Sequence, residues 1–263
     1  MQVQIDRANF FKRTAAFLLD FILIGILVTG FIFLCMKIAS YDKHYDNMMS
    51  YYTVYGERYA YQDEDGKTKK VDFAITDEDY KKLPQSEKAH YIEASNALAK
   101  DEGFKAERKY VIFTLIISLV ISILISVLII DFLIPLIFKN GQTLGKKVFS
   151  LSVIREDGVK ASTFQLFVRA IFGKFLIELA IPALMIILIF FNIMGIVGTV
   201  AVILIYLIDF IMFVGSYYKT PIHDKISFSV VVDMKTQMIF KTKEEMMNYH
   251  SKLHKEEVKK KIY

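Results

Sequence analysis

The sequence has one cysteine, Cys35, in 263 residues. A single thiol excludes an intrachain disulfide framework and any cysteine-rich zinc site. Tryptophan is absent and Lys outnumbers Arg by 27 to 6, a bias that fits an A+T-rich bacterial genome. No Ser-His-Asp order, no His-Glu-x-x-His and no acidic metal motif stands out, so the expectation is a non-enzyme without cofactor or metal. Also missing is the even scatter of apolar residues through amphipathic periods that a soluble domain shows. The 54% of apolar residues lie in a few long runs, with the charges collected elsewhere. That excludes a disordered chain, a collagen-like repeat and an ordinary soluble enzyme core. A pI near 9.0 would suit nucleic acid. Beside such runs the basic charge reads instead as membrane-facing, and nucleic acid is set aside as a partner.

Crossing about 30 Å of hydrocarbon takes roughly 20 helical residues. Residues 14–38 qualify, with Asp20 in their interior. Residues 111–130 carry no charge, and apolar residues continue past Asp131 to Phe138. Residues 175–193 carry only Glu178, and residues 197–217 only Asp209. The third run is the shortest, and Pro182 could kink it. Met194-Gly195-Ile196 joins the last two runs as a tight hairpin. Arg7, Lys12 and Arg13 before the first run resemble the charged end of a signal peptide. The run is too long for a signal core and holds an Asp, so it reads as a retained helix.

The fold class expected is an all-α integral membrane protein with four transmembrane helices, a small cytoplasmic β-hairpin-like element and a polar extracytoplasmic insertion. Its segments are 1–39, the N-terminus and first span; 40–109, the outer loop domain; 110–138, the second span; 139–174, an inner loop with a short strand and an interfacial helix; 175–217, the third and fourth spans; and 218–263, a basic tail. Lys and Arg near the span ends set the orientation. Arg7, Lys12 and Arg13, then Lys139, Lys146, Lys147, Arg155, Lys160, Arg169 and Lys174, then Lys219 and Lys225, all fall on one side. That side is expected to be cytoplasmic, with both termini there and residues 40–109 outside, in a bacterial inner membrane.

In the outer segment, Tyr-rich residues 51–61 read as a strand. Asp65-Gly66 marks a turn and residues 68–74 a returning strand. Thr76 with Asp79 suits a helix cap. Residues 86–100 have helical composition, with Tyr91, Ala94 and Leu98 on one face, and helix resumes near Phe104. In the inner segment, Gly141-Gln142-Thr143-Leu144-Gly145-Lys146 reads as a turn, residues 148–154 as a strand and Asp157-Gly158 as another turn. Three residues between the glycines and a strand afterwards do not make a phosphate loop. Residues 228–232 form a second inner strand that could pair with the first.

Together these landmarks resemble the RDD family of small bacterial membrane proteins. The residues from Arg13 through Asp20 match its opening motif. Gly141, Thr143, Gly145 and Lys146 resemble its Gly-x-Thr-x-Gly-Lys turn, with Leu144 where Pro is common. Arg155-Glu156-Asp157-Gly158 and Arg169 resemble the continuation, and His223-Asp224-Lys225 the closing turn. Ser227-Phe228-Ser229 departs from the usual Gly-Thr. The resemblance covers roughly residues 11–233, without most of residues 40–109 and without the tail. It implies a bacterial inner-membrane protein suspected of transport.

Charged groups in hydrocarbon cost at least ~2.5–3.5 kcal/mol each on insertion scales. Asp20, Asp131 and Asp209 are expected at similar depth, and with Glu178 could line an ion or proton path. The alternative is that Arg13, Arg169 and Lys174 neutralise them as ties between helices. Lys174 and Glu178 are four apart and could pair on one face. Asp20 lies roughly 10 Å beyond Arg13 along a helix, too far for an easy direct bridge. Asp224 is the candidate partner of Arg13 or Arg169. In the tail, residues 259–261 are three lysines suited to anionic headgroups, and His250 and His254 share a helix face without a third metal ligand. Two functions follow. One is a transporter for an ion or small solute. The other is a non-transporting scaffold or accessory subunit. The partners implied are the lipid bilayer and a second copy or a membrane partner protein that would thicken a four-helix bundle.

Overall fold

The computed structural model describes residues 5–6, 8–63, 66–138, 140–190, 194–215 and 220–262. Arg7, Asp65, Lys139 and Lys219, used above for charge bias and a turn, lie outside them, as do residues 191–193 and 217 at the ends of the last two runs. The side chains of His254 and of residues 259–261 also lie outside the description. The chain divides into two compact units, one of residues 1–30 and 120–263, the other of residues 31–119.

The elements in chain order begin with α1 (Phe10–Ile38), α2 (Tyr41–Arg58), β1 (Tyr61–Gln62), β2 (Thr68–Lys69), α3 (Asp77–Lys82) and α4 (Gln85–Lys100). A long helix follows, α5 (Glu102–Ile137). Next come α6 (Leu144–Val148) and β3 (Leu151–Arg155). Two further long helices are α7 (Thr163–Phe190) and α8 (Gly195–Gly215). The chain closes with α9 (Ile222–Ile226), β4 (Ser229–Asp233) and α10 (Lys243–Ile262). Among the described residues, four helices, α1, α5, α7 and α8, are long and apolar enough to cross a membrane. The protein is an all-α membrane protein with two short sheets.

In the larger unit, β3 and β4 pair antiparallel with Val153 opposite Val231 and Leu151 opposite Asp233. Side chains alternate across a strand, so the ribbon has two faces. Leu151, Val153 and Val231 pack on Ala8, Ala16 and Leu166. Ile154, Val230 and Val232 pack on Ile5 and Ile239. With both faces covered, every residue of β4 is buried, which explains why the sequence there is a continuous β-branched run rather than an alternating one.

Three expectations are corrected in this unit. The inner strand starts at Leu151 rather than residue 148, because Thr143 caps a short helix first, its Oγ1 accepting from Lys146 N at 3.3 Å. Ser150 then turns the chain with φ 56°. The third span starts at Thr163 rather than residue 175. Ser162 and Gln165 form a reciprocal cap in which Ser162 Oγ accepts from Gln165 N at 3.2 Å and Gln165 Oε1 from Ser162 N at 3.1 Å. Arg169 and Lys174 therefore belong to the helix and not to a loop. The helix runs on through Pro182, which stands just past a π-helical stretch, Arg169–Ala180. A second π stretch, Leu128–Leu133, interrupts α5 around Asp131.

In the smaller unit the expected strand over residues 51–61 is helix α2 as far as Arg58. Tyr41, Tyr45, Tyr52, Tyr55 and Tyr59 recur at helical spacing, and that period outweighs the strand preference of Tyr. The returning strand shrinks to β2, paired with β1. Thr76 does cap α3, accepting from Asp79 N at 3.2 Å. Ala94 and Leu98 are buried on α4. Tyr55 donates to Asp101 Oδ2 at 2.8 Å, and Phe104 N donates to Asp101 Oδ1 at 2.9 Å. The Phe104 amide and then the Tyr55 hydroxyl hold the Asp101 carboxyl below its usual range.

The strand boundary is testable. Leu151 is fully buried and Val148 is 67% exposed. Leu151→Ala should destabilise by about 2–5 kcal/mol, and Val148→Ala by less than about 0.5 kcal/mol. Melting of the two purified variants would separate this boundary from a strand beginning at residue 148.

Candidate functional site: a cavity walled by charged side chains

The larger unit contains a cavity of about 340 Å³ between the first turns of α1, the π stretch of α7, the second half of α8 and the loops carrying α6 and α9. Arg13, Asp20, Lys146, Arg169, Lys174, Glu178, Asp209, His223 and Asp224 all line it. Its remaining wall is mostly apolar and includes Phe10, Phe17, Phe210 and Phe213, with Thr14 and Tyr206. Nine of the residues singled out by motif or by intramembrane charge thus meet in one place. Asp131 stands behind the cavity and reaches it through Lys174.

Asp224 is the most heavily held acid. Arg169 Nε donates to its Oδ1 at 2.7 Å, and an Arg13 amine faces its Oδ2 at 3.5 Å. It is fully buried. Burial works to raise its carboxyl, but Arg169, His223, Arg13 and Lys146 together outweigh that and hold it well below the usual range. Both arginines anticipated as its partners are therefore used. Arg13 also lies over the Phe213 ring, 4.9 Å from its centre.

His223 sits between two carboxylates. Its Nδ1 is 2.6 Å from Glu178 Oε1 and its Nε2 is 3.4 Å from Asp224 Oδ1. Its backbone N donates to the same Glu178 oxygen at 3.2 Å. The Nδ1 contact is a hydrogen bond, whereas Nε2 stands only within ion-pair distance of Asp224. Gly173 permits the approach, since a Cβ there would collide with His223.

Lys174 does not pair with Glu178. Its Nζ donates to Asp131 Oδ1 at 2.7 Å, and both side chains are buried. The reason is the π register. A π turn closes on i→i+5, so it re-aims side chains that α-helical spacing would stack four apart. Asp131 sits in the other π stretch, so both ends of this ion pair lie where the helices depart from α geometry.

Among the described residues Asp20 has no cation in direct contact. Thr143 Oγ1 donates to its Oδ2 at 2.5 Å and Gly145 N to its Oδ1 at 2.8 Å. The Gly-x-Thr-x-Gly motif is thus the receptor for the acid of α1. A Cβ at Gly145 would collide with the Ala16 carbonyl oxygen and press on the Asp20 carboxyl. Gly141 opens the loop with φ 63°. Asp209 accepts from Ile222 N at 2.7 Å.

Lys146 differs from the other cations. It is buried and lines the cavity, and its ammonium makes no ion pair or hydrogen bond with any described residue. Burial, then Arg169 and Lys174, push it down to about 8 against the opposing pull of Asp20 and Asp131. Sequence spacing alone did not reveal the π register, the Thr143 and Gly145 bonds to Asp20, or the solitary state of Lys146. Lys174 and Glu178 stand at α-helical spacing, so the sequence carried no signal for these pairings.

Lys146 sets a pH dependence. Above pH 8 the folded chain releases this proton, while the unfolded chain keeps it up to the ordinary 10.5. The unfolded state then binds more protons, so this group makes stability rise with pH between about 8 and 10.5. Its full span is about 3 kcal/mol. Lys146→Met should flatten that rise and raise the melting temperature at pH 7. Melting curves of both proteins from pH 7 to 11 would check it, and parallel curves would refute it.

No curated protein and no solved structure matches this chain. A family model described as the RDD family matches residues 7–227. That span takes in Arg13 and Asp20 at one end and Asp224 at the other, the three residues around which the charged network closes. Matched over most of its length, the chain belongs to the RDD family.

Proposed function

We propose that the protein moves an ion or small solute across a bacterial plasma membrane, and that the charged cavity is where the solute binds. The observation that carries this reading is that Lys146 and Asp209 both line the cavity without an ion pair of their own among the described residues. Ion pairs that merely hold helices together need no cavity and leave no charge over. The four intramembrane acids are not a row of free carboxylates. Asp131 and Glu178 have Lys174 and His223, Asp20 has two strong donors, and Asp209 is the acid left to a solute. In this reading the chain is not an enzyme, and its partners are the lipid bilayer and a second copy of itself.

The scaffold reading has its own support. Arg13 and Arg169 tie α9 to α1 and α7 through Asp224, which suits a rigid platform. The outward faces of α1 and α8 are apolar along their length, with Phe33 70% and Ile203 59% exposed, and would take lipid or a partner helix equally well.

Flux separates the two. Proteoliposomes with the purified full chain should show protein-dependent movement of at least one among sodium, potassium, protons and labelled amino acids. Asp209→Asn keeps an acceptor for Ile222 N but removes the charge, and should reduce that flux roughly tenfold or more. No flux from folded protein would sink the transport reading and leave the scaffold.

The orientation proposed puts the cavity, β3, β4 and both termini in or towards the cytoplasm, following Lys12, Arg13, Lys146, Lys147, Arg155, Lys160 and Lys225. In a chain with Cys35 replaced by Ser, a cysteine at position 67 should react with an impermeant maleimide in intact cells. One at position 157 should react only after lysis. The opposite pattern would invert the topology.

A further inference from the structure

The cavity wall carries charges of both signs, and most are already answered. Lys174 has Asp131, His223 has Glu178, and Arg169 and Arg13 share Asp224. Asp20 has the Thr143 hydroxyl and the Gly145 amide. Two groups stand apart. The Lys146 ammonium has no direct partner among the described residues, and the Asp209 carboxylate accepts one backbone N–H. They line the same cavity with Asp224 near both. Lys146 also feels Asp20, Asp131, Arg169 and Lys174, and Asp209 also feels Glu178 and His223.

We propose that the cavity binds a zwitterion, with its anionic group on Lys146 and its ammonium on Asp209. This rests on the cavity being the solute position and names the class of solute. The argument is one of balance. Once the pairs named above are set aside, one cation, Lys146, and one acid, Asp209, remain on the cavity lining among the described residues. A simple anion would answer Lys146 but leave Asp209 bare and add an uncompensated charge to a low-dielectric site. A simple cation would do the reverse. A ligand with both signs and no net charge answers both.

The walls agree with that assignment. Tyr206, Phe210 and Phe213 lie on α8 around Asp209 and line the cavity. Aromatic faces attract ammonium groups, and Phe213 already carries the Arg13 guanidinium. A volume of 340 Å³ lies at the small end of ligand pockets, which run from about 300 to 1,000 Å³. It suits an amino-acid-sized molecule or a phosphoethanolamine headgroup. Phe17, Tyr206 and Phe210 line the cavity yet remain 46%, 47% and 59% exposed. The wall thus continues onto the apolar outer surface between α1 and α8. A zwitterion could arrive there as a free solute or as the headgroup of a phospholipid.

The test uses the full chain in nanodiscs of phosphatidylglycerol alone, which contain no zwitterionic lipid. The probes are β-alanine and dihexanoyl-phosphatidylethanolamine, with propionate and ethylammonium as half-ligands. Calorimetric titration should show one β-alanine or one phosphatidylethanolamine bound per chain. Its affinity should exceed that of either half-ligand by roughly tenfold or more. Lys146→Met and Asp209→Asn should each weaken that binding by roughly tenfold or more, and Lys146→Arg should retain it and so exclude misfolding as the cause. Binding of β-alanine identifies a free solute, and binding of the lipid alone a headgroup. Half-ligands binding as tightly as the zwitterions, neither zwitterion binding, or variants binding like the wild type would overturn the inference. Sodium or potassium flux without zwitterion binding would defeat this inference and spare transport. Zwitterion binding without any flux would defeat transport and spare the inference.

Discussion

The larger unit depends on how it buries Asp224. A carboxylate with no exposure at the edge of an apolar bundle is tolerable only if its lost hydration is replaced by fixed opposite charge. Arg169 supplies one oxygen's partner and Arg13 faces the other. Those two arginines come from α7 and α1, while Asp224 comes from the short helix after α8. One acid therefore joins three stretches distant in sequence. Removing a single member of such a set leaves buried charge unanswered, which is far costlier than never having buried it.

The remaining ties follow the same rule with different donors. Asp20 is met by a hydroxyl and an amide instead of a cation, so the loop between α5 and α7 is fastened to α1 without using up Lys146. Lys174 and Asp131 close α7 onto α5 at the two places where those helices become π-helical. The consequence is a network in which nearly every charge among the described residues has a fixed partner, beside a cavity lined by the exceptions, Lys146 and Asp209. The β3–β4 ribbon adds rigidity, because both of its faces are covered.

Much was legible in the linear sequence because it depends on local periods. The four long apolar runs and the Thr76 cap follow from hydropathy and from side-chain reach within one turn. So do the two β-branched segments and the helical composition of residues 86–100. Errors arose where local preference and tertiary context compete. Tyr residues in α2 favour strands individually, yet their spacing serves a helix whose aromatic face packs with Phe73 and Phe104. The residues after Gly145 look like the start of a strand, yet Thr143 has a donor within reach and caps a turn of helix first. Ser162 and Gln165 cap α7 well before its apolar run begins, so a reading based on hydropathy alone starts that helix too late.

The sequence by itself determined that this is a four-span membrane protein of the RDD family and which ionisable residues it places against apolar surroundings. These are properties of composition, run length and short motifs, and need no contacts to read. Only the tertiary structure decided who answers whom. Lys174 turns to Asp131 rather than Glu178 because the π register rotates it away from its α-helical neighbour. Glu178 turns to His223, which Gly173 lets approach. Among the described residues Lys146 and Asp209 are left over, because pairing across a bundle depends on reach and burial between segments far apart in the chain, and neither quantity is encoded in spacing along it.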